Sequence, residues 1–195
     1  MSQLILASSS SYRKSLLERL NLEFSCYSPD IDESAGDSES AFGLAERLAC
    51  HKAEVVAVKF PLATVIGADQ VAELNGKVLG KPGTHEKAVA QLTAQSGNQV
   101  LFHSGLAVSQ VQANGTIKRQ SLVNTTKVMF RQLSETQIES YLLAEEPYDC
   151  AGSFKAEALG ISLFAAVHSD DPTSLIGLPL INLCSMLRKF SIVPI

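Results

Sequence analysis

Apolar and polar positions along the chain alternate in blocks that predict both strands and helices. Short apolar runs rich in Val, Ile and Phe predict strands at 4–8, 24–27, 63–74, 100–111, 117–130 and 161–167. Apolar residues three and four apart predict helices at 11–21, 41–59, 84–95, 134–145 and 179–189. Asn-Gly pairs at 75–76 and 114–115 predict hairpins that interrupt the alternation. We therefore expect an α/β fold with a mixed sheet, and a cleft between two lobes would be a natural ligand site.

Composition narrows the classes of function. The chain has 195 residues and a formal net charge of −4, which argues against nucleic-acid binding by broad electrostatics but leaves room for a local basic pocket. We expect no membrane partner, because no apolar run reaches the roughly 20 residues of a membrane span. The first basic residues follow the N-terminal apolar run, unlike a secretory signal, so we expect a cytoplasmic protein.

Cysteine and histidine spacing does not predict a metal site. The cysteines form no C-x-x-C pair, so we expect them to be reduced, small buried residues; they are Cys26, Cys50, Cys150 and Cys184. The histidines have no ligand spacing and are predicted to be surface or incidental residues; they are His51, His85, His103 and His168.

The stretch LILASSSSYRKSLL, residues 4–17, places hydroxyls and cations where a strand turns into a helix. A helix N-terminus with serine hydroxyls and the guanidinium of Arg13 suits an anion. The alternative is that the serines only cap the helix and that Arg13 lies on a solvated face. The stretch alone does not decide between these two interpretations.

Charged residues in three other segments are candidates for chemistry. Asp69, in IGADQV, interrupts an apolar strand, so it must be paired, bind a metal or face a cavity. Lys81, in GKP, returns from the Asn75-Gly76 turn about level with Asp69, and the two could form a cross-strand ion pair or bind phosphate together. Taken alone, Lys52 is a solvated helix lysine, and Glu33 is one acid among several in DIDES.

Seven blocks in order resemble the Maf family of nucleoside triphosphate pyrophosphatases. The blocks are LILASSSSYRKSLL, DIDES, LAERLACHKAE, VIGADQV, LGKP, AGSFKAEALG and LIGLPL. The resemblance runs from Leu4 to about Leu187 and is greatest to the YceF-like branch, the 7-methyl-GTP pyrophosphatases. It implies a single Maf-like domain over 1–195 with a two-lobed, Maf/ITPase-like α/β fold around an elongated mixed sheet with a central cleft.

The resemblance also implies an activity and a set of roles. The family cuts nucleoside triphosphates into the monophosphate and pyrophosphate with a divalent cation, Mg²⁺ or Mn²⁺. Its catalytic acid falls on Asp69, which would serve as general base or as a metal ligand with Glu33. Its phosphate-binding positions fall on Ser8, Arg13, Lys52 and Lys81. A homodimer is a further expectation from the family.

Three positions are predicted to select the base. In the dTTP/UTP branch we expect Arg at the position of Tyr12 and Gln at that of Glu157. An aromatic ring suits the cationic ring of 7-methylguanine, and a carboxylate suits its N1 and N2 edge; Gln70 is the third candidate. Turnover of dTTP, UTP or another modified nucleotide, and a nucleotide-binding regulator of septum formation, are the alternative functions.

Overall fold

The computed structural model describes residues 3–194 as one mixed sheet packed against helices. Its strands are β1 Leu4–Ala7, β2 Ser25–Cys26, β3 Thr64–Leu74, β4 Lys77–Leu79, β5 Gln99–Val111, β6 Ile117–Phe130 and β7 Phe164–His168. Its α-helices are α1 Ser11–Glu18, α2 Ala41–Lys59, α3 His85–Gln95, α4 Glu135–Glu145 and α5 Leu180–Arg188. Two short 3₁₀ helices are Leu159–Leu163 and Ser174–Ile176.

The sheet is mixed, as the hairpins predict. Its strand order is β2-β1-β3-β5-β6-β7, with β4 pairing with the end of β3. β1 is parallel to both β2 and β3, because helical crossovers join these strands. The later pairs are antiparallel, and in the long β3–β5 ladder Asp69 stands opposite Gly105.

Hydrophobic packing divides the molecule into two lobes along the sheet. In the first lobe, α1 and α5 cover one face and α2 covers the other, so that Leu6 and Ile66 point one way and Ile5 and Val65 the opposite way. In the second lobe, α3 and α4 pack with four phenylalanines in edge-to-face contact; these are Phe102, Phe130, Phe154 and Phe164. The α/β architecture with two lobes is therefore confirmed.

Two glycines let α2 lie unusually close to the sheet. A Cβ at Gly67 would collide with the Ala49 carbonyl, and a Cβ at Gly105 would collide with the Ala45 carbonyl. Small residues on both surfaces thus allow close contact of helix and strand backbones. Since side chains alternate along β3, Asp69 faces the same helix as Gly67, and α2 brings Lys52 over it.

Several boundaries differ from the predictions. Helix α1 ends at Glu18 rather than at residue 21. After Glu18 the chain continues in tight turns to Asn21, which has a left-handed conformation with φ 51°. The predicted strand 24–27 shortens to Ser25–Cys26. The strand predicted at 161–167 begins only at Phe164, because the preceding residues form a 3₁₀ turn packed against Lys155 through Gly160.

Two predictions about cysteine and histidine were wrong in part. Cys50 is buried as expected, but Cys26 is exposed, and Cys150 and Cys184 are partly exposed; all four are reduced. His103 is buried, not a surface residue: it contacts Glu73 at 3.3 Å and Thr125 at 3.0 Å. Within residues 3–194, none of the helices combines the length and the apolar character needed to span a membrane.

Candidate active site

A cleft of about 670 Å³ lies between the two lobes. All the residues that the sequence proposed for the site line this cleft, although they come from distant parts of the chain. Its ionisable and hydrogen-bonding side chains include Ser8, Tyr12, Arg13, Glu33, Lys52, Asp69, Gln70, Lys81, Asp149, Cys150, Lys155 and Glu157. Cations and anions therefore face each other across one cavity.

The β1–α1 junction forms one wall of the cleft. Ser10 is the N-cap of α1 and accepts a hydrogen bond from the Arg13 backbone N–H. Ser8, which is buried, accepts from the Ser10 N–H at 3.1 Å and from Arg13 Nη1 at 3.4 Å. Both interpretations of the serines hold in part: Ser10 caps the helix, while Ser8 and Arg13 face the cleft.

Arg13 is held at both ends of its guanidinium. Its Nε donates to the Gly177 carbonyl at 3.1 Å, while Nη1 donates to Ser8. Desolvation by burial lowers the pKa of Arg13, and the charges of Asp69 and Glu33 act in the opposite direction. The group remains a cation, since arginine does not lose its proton in proteins. A fixed guanidinium fork of this kind suits phosphate oxygens.

A buried lysine joins the two acids that the family resemblance assigned to a metal. Lys52 Nζ lies 2.6 Å from Asp69 Oδ1 and 2.7 Å from Glu33 Oε1. The side chains of Lys52 and Asp69 are 8% and 11% exposed, whereas that of Glu33 is 60% exposed. Lys52 is therefore not a solvated helix lysine, and the triad explains why a carboxylate interrupts β3.

The loop carrying Glu33 is fastened to α2 by a second ion pair. Arg47 donates to both carboxylate oxygens of Glu39, at 2.7 and 2.8 Å, and to the Ser34 carbonyl at 2.9 Å. The hydrogen bond from Arg47, followed by that from the Gly36 N–H, lowers the pKa of Glu39 to about 2. Within this loop the contact with Lys52 distinguishes Glu33 from the neighbouring acids, which the sequence alone could not do.

Lys81 reaches the cleft from a loop rather than from a strand. β4 ends at Leu79, which pairs with Ala72, so Lys81 is not a cross-strand partner of Asp69. Its side chain is exposed and lines the cleft. The Gly80 carbonyl accepts a hydrogen bond from Gln91 of α3, which fixes the loop to the second lobe.

The mouth of the cleft brings Tyr12 together with the loop after α4. Burial, and then the charges of Cys150, Asp149 and Glu157, raise the pKa of Tyr12 to about 12. Burial and the neighbouring Asp149 raise the pKa of the Cys150 thiol to about 11. Tyr12 and Glu157 therefore share one end of the cleft, with a neutral phenol and an exposed carboxylate.

Among the predicted base-selecting residues, Gln70 has the side chain that is held by the most hydrogen bonds. Its Nε2 lies 3.0 and 2.9 Å from the carbonyls of Ser174 and Leu175, and 3.1 Å from Ser104 Oγ. These acceptors occupy its amide hydrogens, so the Oε1 atom is the part of the group left to contact a ligand.

Sequence reasoning missed three ionisable residues that line the cleft: Asp149, Cys150 and Lys155. Lys155 stands inside the quoted block AGSFKAEALG, which was the available signal for it. Its Nζ donates to the Glu145 carbonyl at the end of α4, at 2.8 Å, so it also anchors this loop. Asp149 and Cys150 carry no distinguishing pattern in the sequence.

Glu33 and Asp69 are the acids of the cleft that the family resemblance assigned to a divalent cation. Within residues 3–194, no three His, Cys, Asp or Glu side chains come together in a way that could hold a metal ion. Glu33 and Asp69 nonetheless converge on one point, the position of Lys52 Nζ. Mg²⁺ is usually bound by one or two carboxylates together with substrate phosphates, so Glu33 and Asp69 are residues that could hold such a cation.

The fold and the cleft define an α/β protein with a polar cleft between two lobes, lined by both cationic and anionic side chains. The family model of the Maf-like protein matches residues 3–190. The chain therefore belongs to the Maf family. This finding confirms the resemblance that the seven sequence blocks indicated.

Curated relatives match almost the whole chain. A 7-methyl-GTP pyrophosphatase of Xanthomonas axonopodis pv. citri is 54% identical over 189 residues, which cover 97% of each chain. A protein of the same name from Pseudomonas savastanoi pv. phaseolicola is also 54% identical, with the same coverage. Among solved structures, the Staphylococcus aureus Ham1 protein is 19% identical with a TM-score of 0.46, covering 67% of this chain and 73% of that one.

Proposed function

We propose that the protein hydrolyses 7-methyl-GTP to 7-methyl-GMP and pyrophosphate. The observation that carries this proposal is the single cleft in which the buried pair of Lys52 and Asp69 lies with Arg13, Lys81 and Tyr12. The names of relatives that are more than half identical support the same substrate.

The cations of the cleft account for triphosphate binding by an acidic protein. A nucleoside triphosphate brings about four negative charges, which local cations must balance when the phosphates leave water. Arg13, Lys52 and Lys81 provide three positive charges from three different segments, and Ser8 adds a hydroxyl. Lys52 would exchange a carboxylate partner for a phosphate oxygen, because both acceptors are anionic and lie in the same cavity.

A divalent cation completes the proposed site. Glu33 and Asp69 are the residues that would hold Mg²⁺ or Mn²⁺ together with the phosphates. Such a cation supplies charge neutralisation at the phosphoryl oxygens. Metal dependence is thus part of the proposal.

Asp69 is the proposed general base. Lys52 holds Oδ1, and the second oxygen, Oδ2, makes no hydrogen bond with any of residues 3–194. That oxygen can accept a proton from a water that attacks the α-phosphorus. The bond from the α-phosphorus to the bridging oxygen then breaks, and pyrophosphate leaves with its charge facing Arg13 and Lys81.

Tyr12 and Glu157 are the proposed base-selecting residues. The methylated guanine ring is cationic, so the ring of Tyr12 and the carboxylate of Glu157 attract it at the mouth of the cleft. Unmethylated GTP lacks this charge and is expected to be a poorer substrate. Action in the cytoplasm is part of the proposal, and the homodimer remains a prediction.

The test is pyrophosphate release from a panel of nucleoside triphosphates, with Mg²⁺ or with a chelator. We expect 7-methyl-GTP to be preferred and the chelator to stop turnover. Asp69→Asn should lower kcat by about 10²–10⁴-fold, the usual contribution of a general base, whereas Asp37→Asn, at an exposed acid, should not. Pyrophosphate release that is unchanged in Asp69→Asn would instead favour the nucleotide-binding regulator, or would mean that a contaminating enzyme releases the pyrophosphate.

The base assignment has its own test. Tyr12→Arg combined with Glu157→Gln should shift kcat/KM from 7-methyl-GTP toward dTTP and UTP. If the double variant keeps its full preference for 7-methyl-GTP, Tyr12 and Glu157 do not select the base.

A further inference from the structure

We propose that Asp171 is a positioning residue: it folds the 169–181 segment so that backbone carbonyls of that segment orient Gln70 and Arg13 in the cleft. Asp171 does not line the cleft. The inference rests on the proposed function for what Arg13 and Gln70 bind, and it adds a residue to which sequence reasoning assigned no role.

Asp171 is a buried carboxylate whose hydrogen bonds tie the two ends of the segment together. It is 1% exposed. Its Oδ1 accepts from the Thr173 N–H at 2.9 Å and from Thr173 Oγ1 at 2.6 Å. Its Oδ2 accepts from the N–H of Ile181, in the first turn of α5, at 2.7 Å. A buried carboxylate with three donors is satisfied, and losing its charge would weaken each bond.

Thr173 extends this arrangement to the base of α5. Its single hydroxyl proton goes to Asp171, the charged acceptor, and its oxygen accepts from the Leu180 N–H at 2.9 Å. Helix α5 begins after Pro179 without a side-chain cap of its own. Asp171 and Thr173 therefore satisfy N–H groups that the start of α5 would otherwise leave unpaired.

Backbone carbonyls between Thr173 and Leu180 contact two side chains of the cleft. The Ser174 and Leu175 carbonyls accept hydrogen bonds from Gln70 Nε2, at 3.0 and 2.9 Å. The Gly177 carbonyl accepts a hydrogen bond from Arg13 Nε at 3.1 Å. Gly177 has φ 117°, in the left-handed region that suits glycine, so its carbonyl direction depends on the turn around it. Moving the turn would rotate the guanidinium of Arg13 away from the phosphates.

The first test compares two adjacent aspartates. Asp171→Asn keeps the shape but places an amide hydrogen against an N–H donor, so the turn must shift. We expect KM for 7-methyl-GTP to rise roughly tenfold with kcat changed less than about twofold, as for one weakened charge-assisted hydrogen bond. Asp170→Asn removes the same charge at an exposed neighbour and should leave both constants unchanged. Equal effects of the two substitutions would overturn the proposal.

The second test asks whether Asp171 acts through Arg13. Asp171→Asn should lose most of its effect on KM when Arg13 is already Lys, because that side chain lacks Nε–H. It should keep its full effect when Lys81 is Met, since Lys81 does not touch the segment. Equal effects in the two backgrounds would show a general loss of structure and contradict the inference. If Asp171→Asn does not fold, Thr173→Val replaces it in the same cycles, with the same pattern expected.

Binding of inorganic tripolyphosphate, measured by calorimetry, separates this inference from the proposed function. Wild-type protein that binds tripolyphosphate, with the same coupling between Asp171 and Arg13, supports the inference even if no nucleotide is hydrolysed. Turnover of 7-methyl-GTP without that coupling refutes the inference alone. Wild-type protein that neither binds tripolyphosphate nor hydrolyses a nucleotide overturns both.

Discussion

Replacement of Lys52 by Met tests the buried ion pair on which the site is built. Met replaces the apolar stem of the lysine up to Cε but removes the ammonium. Asp69, whose side chain is 11% exposed, would then keep its charge in a cavity without the partner that lies 2.6 Å away. The substitution therefore leaves a carboxylate both unpaired and desolvated.

The magnitude follows from the burial of the two partners of Lys52. Breaking a buried pair by removing one member costs about 3–5 kcal/mol, whereas an exposed pair contributes about 0–1 kcal/mol. Because Glu33 is 60% exposed, nearly all of the effect comes from Asp69. We expect Lys52→Met to lower the free energy of unfolding by about 3 kcal/mol and Glu33→Gln by less than about 1 kcal/mol.

Urea unfolding measures these free energies in four proteins, which are the wild type, Lys52→Met, Asp69→Asn and the double variant. The double variant should be more stable than Lys52→Met alone, because Asn leaves no buried charge unpaired. The expected loss in Lys52→Met corresponds to a Tm roughly 6–12 °C lower. A Lys52→Met protein that unfolds at the wild-type urea concentration, or a Glu33→Gln protein that loses as much as Lys52→Met, would refute this account of the triad.

Three further predictions concern the close helix, the acidic loop and the mouth of the cleft. Gly67→Ala should lower the free energy of unfolding by about 3 kcal/mol in urea, since its methyl group collides with an α2 carbonyl; wild-type stability would show that α2 is not so close. Arg47→Gln should raise KM severalfold with little change in kcat by freeing Glu39 and the loop of Glu33, while Arg119→Gln, at another exposed ion pair, should change neither. Alkylation of Cys150 by iodoacetamide should be slow at pH 8 and rise to half its maximum near pH 11, because burial disfavours the thiolate; a plateau by pH 9 would contradict the description of the mouth.

The sequence could show that Asp69 needed a partner but not which cation that partner was. An acidic residue within an apolar strand predicts a buried carboxylate that needs a compensating partner. Its pairing with Lys52 depends on the position of α2 on the sheet, which close contacts at Gly67 and Gly105 determine. Such contacts join residues 14 or more positions apart, and no local pattern encodes them. For the same reason Lys52 looked like an ordinary helix lysine.

Local patterns predicted long elements better than their ends. β5 and β6 were found because their apolar runs are long and an Asn-Gly turn joins them. The start of the strand predicted at 161–167 was wrong. The apolar residues there fit a strand, but the packing of Gly160 against Lys155 produces a 3₁₀ turn instead. The burial of His103 was missed because its partner, Glu73, lies on a neighbouring strand that is distant in the sequence.

The most direct test of the central claim is hydrolysis of 7-methyl-GTP in water enriched in ¹⁸O, with both products analysed by mass spectrometry. Attack on the α-phosphorus by a water activated by Asp69 predicts one ¹⁸O atom in 7-methyl-GMP and none in pyrophosphate. Label in pyrophosphate, or release of orthophosphate in its place, would contradict the account.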